Sequence, residues 1–231
     1  MTSSSAASGG PASGGPAPGG TAPSGTERLA RGSRREEILD AAAQLFARRG
    51  FHGVSIDDIG AAVGISGPGL YRHFPGKTAV LAEMLLRISQ QLLDEGSRAV
   101  LSAADAPAAL DALVRKHIDF ALGQPALITV HDRELGNVPE PDRRRIRRLQ
   151  RLYVEEWVTV LSELFPAAPQ VRLRAATHAT FGLLNSTPHS AGELAAKDMA
   201  ELLRTIAHAS LRSAASAAPA PSARPAQVNG R

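Results

Sequence analysis

Residues 64–77, GISGPGLYRHFPGK, place Tyr71, Arg72, His73 and Lys77 within seven positions, a set of side chains suited to meeting a polyanion. An arginine can hydrogen-bond guanine O6 and N7 through both arms of its fork, while phenols and cations suit phosphate oxygens. Lys77 stands at the start of a predicted helix. A cation there opposes the helix macrodipole and costs about a few tenths of a kcal/mol unless an anion sits with it. Arg34 and Arg35 crowd the start of an earlier predicted helix in the same way. A nucleic-acid phosphate is an anion that helix N-termini accept.

The same fourteen residues hold four glycines and two prolines, the poorest helix formers, yet good helical patterns flank them. On the N-terminal side, Ser33 and Glu36 have capping-box spacing, followed by apolar Ile38, Ala42, Leu45 and Phe46, which predicts a helix ended by Gly50. Ser55 stands three residues before Asp58 and caps a short helix through Ile56, Ile59 and Val63 that stops at Gly64. On the C-terminal side, Leu81, Met84, Leu85, Ile88 and Leu92 mark a longer helix. Two short helices joined through Val63–Ser66 and preceded by a supporting helix have the layout of a helix-turn-helix, whose second helix enters the DNA major groove. Ser66 then caps the recognition helix, Pro68 lies in its first turn, and Leu70 with Phe74 anchors it. Tyr71, Arg72 and His73 are left on or beside the exposed face. Gly67 and Gly69 remove bulk that would hold the backbone away from a phosphate backbone. The competing reading packs Tyr71 and His73 into the core and leaves Arg72 solvated.

The span EILDAAAQLFARRGFHGVSIDDIGAAVGISGPGLYRHFPGKTAVLAEML, residues 37–85, resembles the DNA-binding domain of the tetracycline-repressor (TetR) family of bacterial regulators, through GFHGVSIDDIG at 50–60 and LYRHFPGK at 70–77. It departs at Gly60, where the family usually has Ala, and at Gly67–Gly69, where larger or basic residues are common. The resemblance implies a homodimeric repressor with a helical C-terminal ligand-binding and dimerisation domain. It implies that Tyr71, His73 and Lys77 contact phosphates, helped by Ser55, Arg34 and Arg35, with Arg72 the best candidate for base edges.

The chain has 231 residues, 43% of them apolar and only 4% aromatic, with no cysteine and a formal charge of +4. This composition suits helices packed through Ala and Leu, and the fold class expected is all-α, an N-terminal three-helix helix-turn-helix domain plus a C-terminal helical bundle. Disulfides and cysteine-metal sites are excluded, and the small positive balance agrees with a polyanionic partner. Residues 1–25 carry no charged side chain and read as a disordered Gly/Ser/Pro/Ala arm, as do 213–231 at the other end. The DNA-binding domain is placed at 30–78 and the ligand-binding domain at 79–212. Its helices are expected near 106–122, 125–135, 141–165, 170–186 and 191–212. The arginines of RRRIRRLQRLYVEEW, residues 143–157, fall opposite Ile146, Leu149, Tyr153 and Trp157 and read as a solvated face, with an anionic-ligand contact or intersubunit ion pair as the alternatives.

No metal-ligand grouping, Walker loop, nucleophile elbow or catalytic carboxylate pair is evident, so an enzyme is rejected and no cofactor or metal is expected. The acidic neighbourhood at His131–Glu134 reads as a charged helix end. Leu113, His117, Ile118, Phe120, Leu127, His131 and Trp157 are candidates to line a ligand pocket. Small residues Ala175, Ala179 and Gly182 beside Phe181, with Leu202 and Ile206 on the last helix, are candidates for a dimer interface, which in the resembled family is a four-helix bundle; an internal core is the competing explanation. No membrane span or signal sequence is recognised, so the expected place is the cytoplasm, on the nucleoid. The expectation is therefore a ligand-responsive repressor, dimeric on a near-palindromic double-stranded operator and released by an apolar effector, with fatty acyl-CoA or another lipid-like molecule suggested by resemblance. The alternative is a ligand-independent DNA-binding or scaffolding dimer. Residues Asn185–Ser190 form a tight turn without an assigned role.

Overall fold

The computed structural model describes the backbone of residues 25–190, 192 and 194–216, and side chains from residue 34 onward. The chain runs through helices α1 (Gly25–Arg49), α2 (Ile56–Ala62), α3 (Gly67–Tyr71), α4 (Lys77–Leu101), α5 (Ala106–Gly123) and α6 (Pro125–Glu134). After a 3-10 turn at Leu135–Asn137 come α7 (Glu140–Leu164), α8 (Gln170–Leu184), α9 (Thr187–Ser190) and α10 (Ala196–Ser216). The described residues contain no strand, as the low aromatic content and helical periodicity predict.

Gly50 and Gly64, at φ +69° and +68°, take the left-handed conformation that ends α1 and the α2 turn, where a side chain would be strained. Gly60 has a different reason to lack a side chain. Its carbonyl accepts the Ile65 N–H at 2.9 Å, drawing the turn back against α2, and a Cβ on Gly60 would sit 2.8 Å from the Ile65 carbonyl oxygen. The departure from alanine at this position is thus matched by a turn closed against the helix.

Two apolar cores share one connecting helix. The first gathers Ile38, Phe46, Val54, Ile59, Leu70 and Phe74 from α1–α3 with Val80, Leu81 and Leu85 of α4, and it extends to Val130 of α6 and Ile146 of α7. The second joins Leu113, Ile118, Trp157, Leu161, Leu173, Leu203 and Ala207 of α5, α7, α8 and α10, with Leu92 and Leu93 of α4 packed on it. The boundary drawn at 78/79 falls inside the first turn of α4, and because α6 and α7 feed side chains into the first core, the helix-turn-helix does not pack as an isolated unit.

Three sequence expectations change. Helix α1 begins at Gly25, so Ser33 and Glu36 are interior positions and not a capping box, and Arg34 and Arg35 are well past the first turn, where the macrodipole is felt. The sequence between, TERLARGS, contains enough helix formers to carry the helix upstream. At the other end α10 continues to Ser216 instead of stopping at 212, and the Arg172 guanidinium of α8 donates to the Ala214 carbonyl in that extension. Of the arms expected at 1–25 and 213–231, residue 25 and residues 213–216 are helical, and 1–24 and 217–231 lie outside the described residues.

Gly60→Ala is expected to lower stability by about 1 kcal/mol, because displacing the Ile65 carbonyl outweighs the gain in helix propensity of similar size. Urea unfolding of the full-length protein measures this; equal or greater stability would show that the turn relaxes freely.

Candidate functional site

The exposed face of the helix-turn-helix is set by an unusually complete cap on α2. The Asp58 N–H donates to Ser55 Oγ at 3.0 Å, and the Ser55 N–H donates to Asp58 Oδ2 at 2.8 Å, the reciprocal pair expected from the spacing. The Ser55 hydroxyl also donates to that carboxylate, and together these bonds hold the Asp58 carboxyl below its ordinary range. Ser66 occupies the N-cap position of α3 with Pro68 in the first turn, but its hydroxyl makes no capping bond and stays exposed. Leu70 and Phe74 are buried as expected. Tyr71 is 55% exposed and Arg72 is exposed beside it, and neither side chain has a hydrogen bond or ion pair among the described residues. His73 is half-buried.

Gly67 is half-buried and Gly69 is buried. Gly69 lies against Ile65 and Ser66, and a Cβ on Gly67 would lie 2.4 Å from Asp57 Oδ1. A Cβ on Gly69 would make only ordinary van der Waals contact, and the one on Gly67 would meet the end of the exposed, rotatable Asp57 side chain, so packing within the fold alone does not demand glycine at either position.

The three cations expected at phosphates have internal partners. Lys77 Nζ donates to the Phe51 carbonyl at 2.9 Å and the Val54 carbonyl at 2.8 Å, and lies 4.5 Å from the Phe51 ring centre. Its placement at a helix start is thereby explained by carbonyl oxygens, with one of its three protons left over. Arg35 grips the Glu83 carboxylate, donates to the His73 carbonyl and stacks 4.2 Å over the Phe74 ring, tying α1 to α4 and to the end of α3. Arg34 pairs with Glu37 one turn on. Lys77 and Arg35 position α3, while Arg34 is bound only within α1; Tyr71 and Arg72 are what the fold leaves unused on the surface.

A second site lies between the helices of the C-terminal domain. A cavity of about 220 Å³, partly open to solvent, is walled by Ile88, Ser89 and Leu92 of α4, His117 and Phe120 of α5, Leu127, Ile128, His131 and Asp132 of α6, Gln150, Tyr153 and Val154 of α7, and His178 and Phe181 of α8 with Asn185 just beyond it. Of the residues expected there, His117, Phe120, Leu127 and His131 are in place. Leu113, Ile118 and Trp157 are instead packed in the core behind, at 0–2% exposure. The contributions of α4, α7 and α8 were missed, because which turns of crossing helices face one void is a tertiary property. Phe181, expected at the dimer face, points inward: its ring lies 4.6 Å from His117, 5.4 Å from Tyr153 and 5.0 Å from Trp157. Gly96 of α4 makes room for this, since a Cβ there would meet the Tyr153 ring at 2.8 Å.

A buried relay runs along the cavity floor. The Tyr153 hydroxyl is 3.3 Å from His117 Nδ1, and His117 Nε2 is 3.0 Å from Asn185 Oδ1. The amide oxygen only accepts, which assigns the His117 proton to Nε2 and makes Nδ1 the acceptor of the Tyr153 proton. Burial drives the His117 pKa down to about 4 against the opposing bond to Asn185, and burial likewise pushes the Tyr153 phenol upward. The Asn185–Ser190 segment thus gains a role: Asn185 fixes His117, and the buried Thr187 hydroxyl donates to the Ala121 carbonyl at 2.7 Å.

Helix α6 connects the two sites. Leu127, Ile128, His131 and Asp132 face the cavity, while Val130 enters the first core and the buried Glu134 carboxylate accepts the Phe51 N–H at 3.1 Å and an Asn137 amide proton at 2.7 Å. Glu134, read from sequence as part of a charged helix end, is a buried anchor. Among the described residues no group of three or more His, Asp or Glu is arranged to hold a metal, and no helix is long and apolar enough to cross a membrane.

On the far side, α8 and α10 present an exposed strip containing Val171 (73% exposed), Ala175, Ala179, Gly182, Leu202 and Ile206. On α7, Arg144, Arg145, Arg147 and Arg148 are exposed opposite the buried Ile146, Tyr153 and Trp157.

A model of bacterial regulatory proteins of the tetR family matches residues 38–84, and a model of the tetracyclin repressor-like C-terminal domain matches residues 103–211. The chain belongs to the TetR family. Its relatives within that family include the transcriptional repressor KstR2 of Rhodococcus jostii, 30% identical over 132 residues, covering 57% of this chain and 65% of KstR2. The transcriptional activator FasR of Mycolicibacterium smegmatis is 34% identical over 93 residues, 40% of this chain and 42% of FasR, so the chain spans less than two thirds of either relative. Among solved TetR-fold structures, KstR2 of Mycobacterium tuberculosis superposes with TM-score 0.67 at 22% identity, covering 78% of this chain and 94% of that one. FadR of Bacillus subtilis, solved with stearoyl-CoA, gives TM-score 0.61 at 19% identity, covering 78% and 97%. At these identities the superpositions show the fold.

The relay carries a pH prediction. With a folded pKa of about 4 against 6.5 when unfolded, His117 binds its proton in the unfolded chain first. Its contribution to stability is complete above pH 6.5 and is lost as pH falls toward 4, at roughly 1.4 kcal/mol per pH unit. His117→Gln should flatten acid-side stability between these limits; equal slopes for the two proteins would show that His117 is not held neutral.

Proposed function

We propose that the protein is a ligand-responsive DNA-binding transcriptional repressor that acts as a homodimer on a near-palindromic operator and is released by a small effector bound in the C-terminal cavity. The observation that carries this reading is the double engagement of α6, which walls the cavity on one side and holds Phe51, at the corner leading into the helix-turn-helix, on the other. A ligand that moves α6 moves the platform under α3, and DNA and ligand then compete through a shared free-energy term. A ligand-independent dimer has no use for such a cavity.

On DNA, Arg72 reads a base edge and Tyr71 contacts the phosphate backbone, since these two side chains, at the end of α3 and just past it, are exposed and without internal partners among the described residues. One five-residue recognition helix offers few contacts, so specificity requires two half-sites joined by two-fold symmetry. The exposed apolar strip of α8 and α10 supplies the surface for a second copy, with Ala175, Ala179 and Gly182 allowing close helix approach. Stearoyl-CoA in FadR and isovaleryl-CoA in AibR, the latter solved with operator DNA as well, support a small-molecule effector in this fold.

Selection from a random DNA pool should return a near-palindrome whose half-site centres lie about 34–36 Å apart or somewhat more. Ala179→Arg, which buries a charge against the symmetry mate, should sediment as a helical monomer and bind that operator at least about tenfold more weakly. A variant that stays dimeric and DNA-competent would move the dimer interface elsewhere; selection without enrichment would sink the repressor reading itself.

A further inference from the structure

The geometry points to a neutral, planar, ring-containing molecule carrying a hydroxyl or carbonyl group as the ligand of the α4–α8 cavity, in place of an acyl chain or an anion; this rests on the effector reading above.

Size is the first constraint. A dry cavity of about 150 Å³ accommodates benzene, so the 220 Å³ here holds one ring with short substituents, and a stearoyl chain would have to leave most of its length outside the opening. Shape is the second. His117, Phe181 and Tyr153 form a set of nearly parallel rings, inclined by 9° for His117 on Phe181, 18° for Tyr153 on Phe181 and 11° for His117 on Tyr153. A flat ring entering parallel to this stack can extend it, and offset stacking adds about 0.5–1.5 kcal/mol per pair beyond area burial. A flexible chain gains no stacking and loses more rotational freedom on entry.

Charge is the third. No lysine or arginine lines the cavity, and its one charged group is the Asp132 carboxylate at the rim. A carboxylate or phosphate entering this space would lose hydration with no lysine or arginine to replace it, His117, His131 and His178 being the only side chains in the lining able to become cations. The polar groups present are suited to a neutral partner. With Oδ1 engaged by His117, the Asn185 amide NH2 has no other hydrogen bond among the described residues, and Gln150 reaches only His131. A ligand hydroxyl or carbonyl accepts from one of these amides while its ring lies along the aromatic wall, the division of labour usual in small-molecule sites.

Calorimetric titration of the full-length protein with 4-hydroxyacetophenone and 4-hydroxybenzamide tests this, with benzoate, decanoate and cyclohexanol as the anionic, chain-like and non-planar comparisons. The two neutral planar probes should bind once per chain and raise the melting temperature, and the other three should bind at least about tenfold more weakly. Gln150→Leu should weaken the planar probes by about tenfold through a lost hydrogen bond, and Leu127→Trp, which fills the space, should abolish them. Tighter binding of decanoate or benzoate would overturn the proposal. So would equal binding of cyclohexanol, no binding of either planar probe, or binding indifferent to both substitutions. DNA selection decides the repressor reading separately, so either conclusion can fail while the other stands.

Discussion

One residue, Phe51, ties the molecule together. Its N–H is taken by Glu134 at the end of α6, its carbonyl by Lys77 at the start of α4, and its ring packs 5.6 Å from Phe46 beneath the Lys77 ammonium. Hydrogen bonds to charged groups contribute about 1.5–3 kcal/mol each, and a buried donor or acceptor left without one costs as much, so the turn between α1 and α2 stays put only while both partners do. Val54, the second carbonyl held by Lys77, lies immediately before the α2 cap at Ser55. The orientation of α2 and α3 is therefore set from outside the helix-turn-helix.

In the proposed repressor mechanism, this dependence is what would let a ligand in the cavity act on the helix-turn-helix surface. Helix α6 has ten residues, with cavity-facing and core-facing positions on successive turns, so it cannot yield at Leu127 and His131 without carrying Val130 and Glu134 along. Arg35 braces the other side, linking α1 to Glu83 of α4 and to the backbone after α3. Close-packed interiors respond to such displacement by switching between arrangements more readily than by deforming smoothly. A coupling of about 1–3 kcal/mol, ordinary for linked binding sites, is comparable to the loss of one of the Phe51 bonds.

Local chemistry made the DNA-facing half legible in sequence. Ser55 with Asp58, the positive-φ glycines 50 and 64, and the Leu70/Phe74 anchor depend on neighbours a few residues away, and each is where the spacing put it. Lys77 and Arg35 stood out as cations in awkward places, but their partners lie 26 and 48 residues distant, so a phosphate was the only anion the local reading could supply. Ser33 and Glu36 show the converse failure: the right spacing for a cap, inside a helix that had already begun. In the C-terminal domain apolar periodicity gave the helices but not their facing. Trp157 and Tyr153 share one stripe of α7, yet one is core and the other wall, and Phe181 turns away from the small-residue strip that its neighbours expose.

Hydrogen exchange at the Phe51 amide addresses the central claim, that the cavity and the helix-turn-helix communicate through α6. The comparison is between the free protein and the protein saturated with a ligand that releases it from its operator. Exchange of this amide should change several-fold on ligand binding while the buried Ala207 amide of α10 keeps its protection. Release of DNA with Phe51 exchange unaltered would contradict it, and would place the coupling on a route that bypasses Glu134.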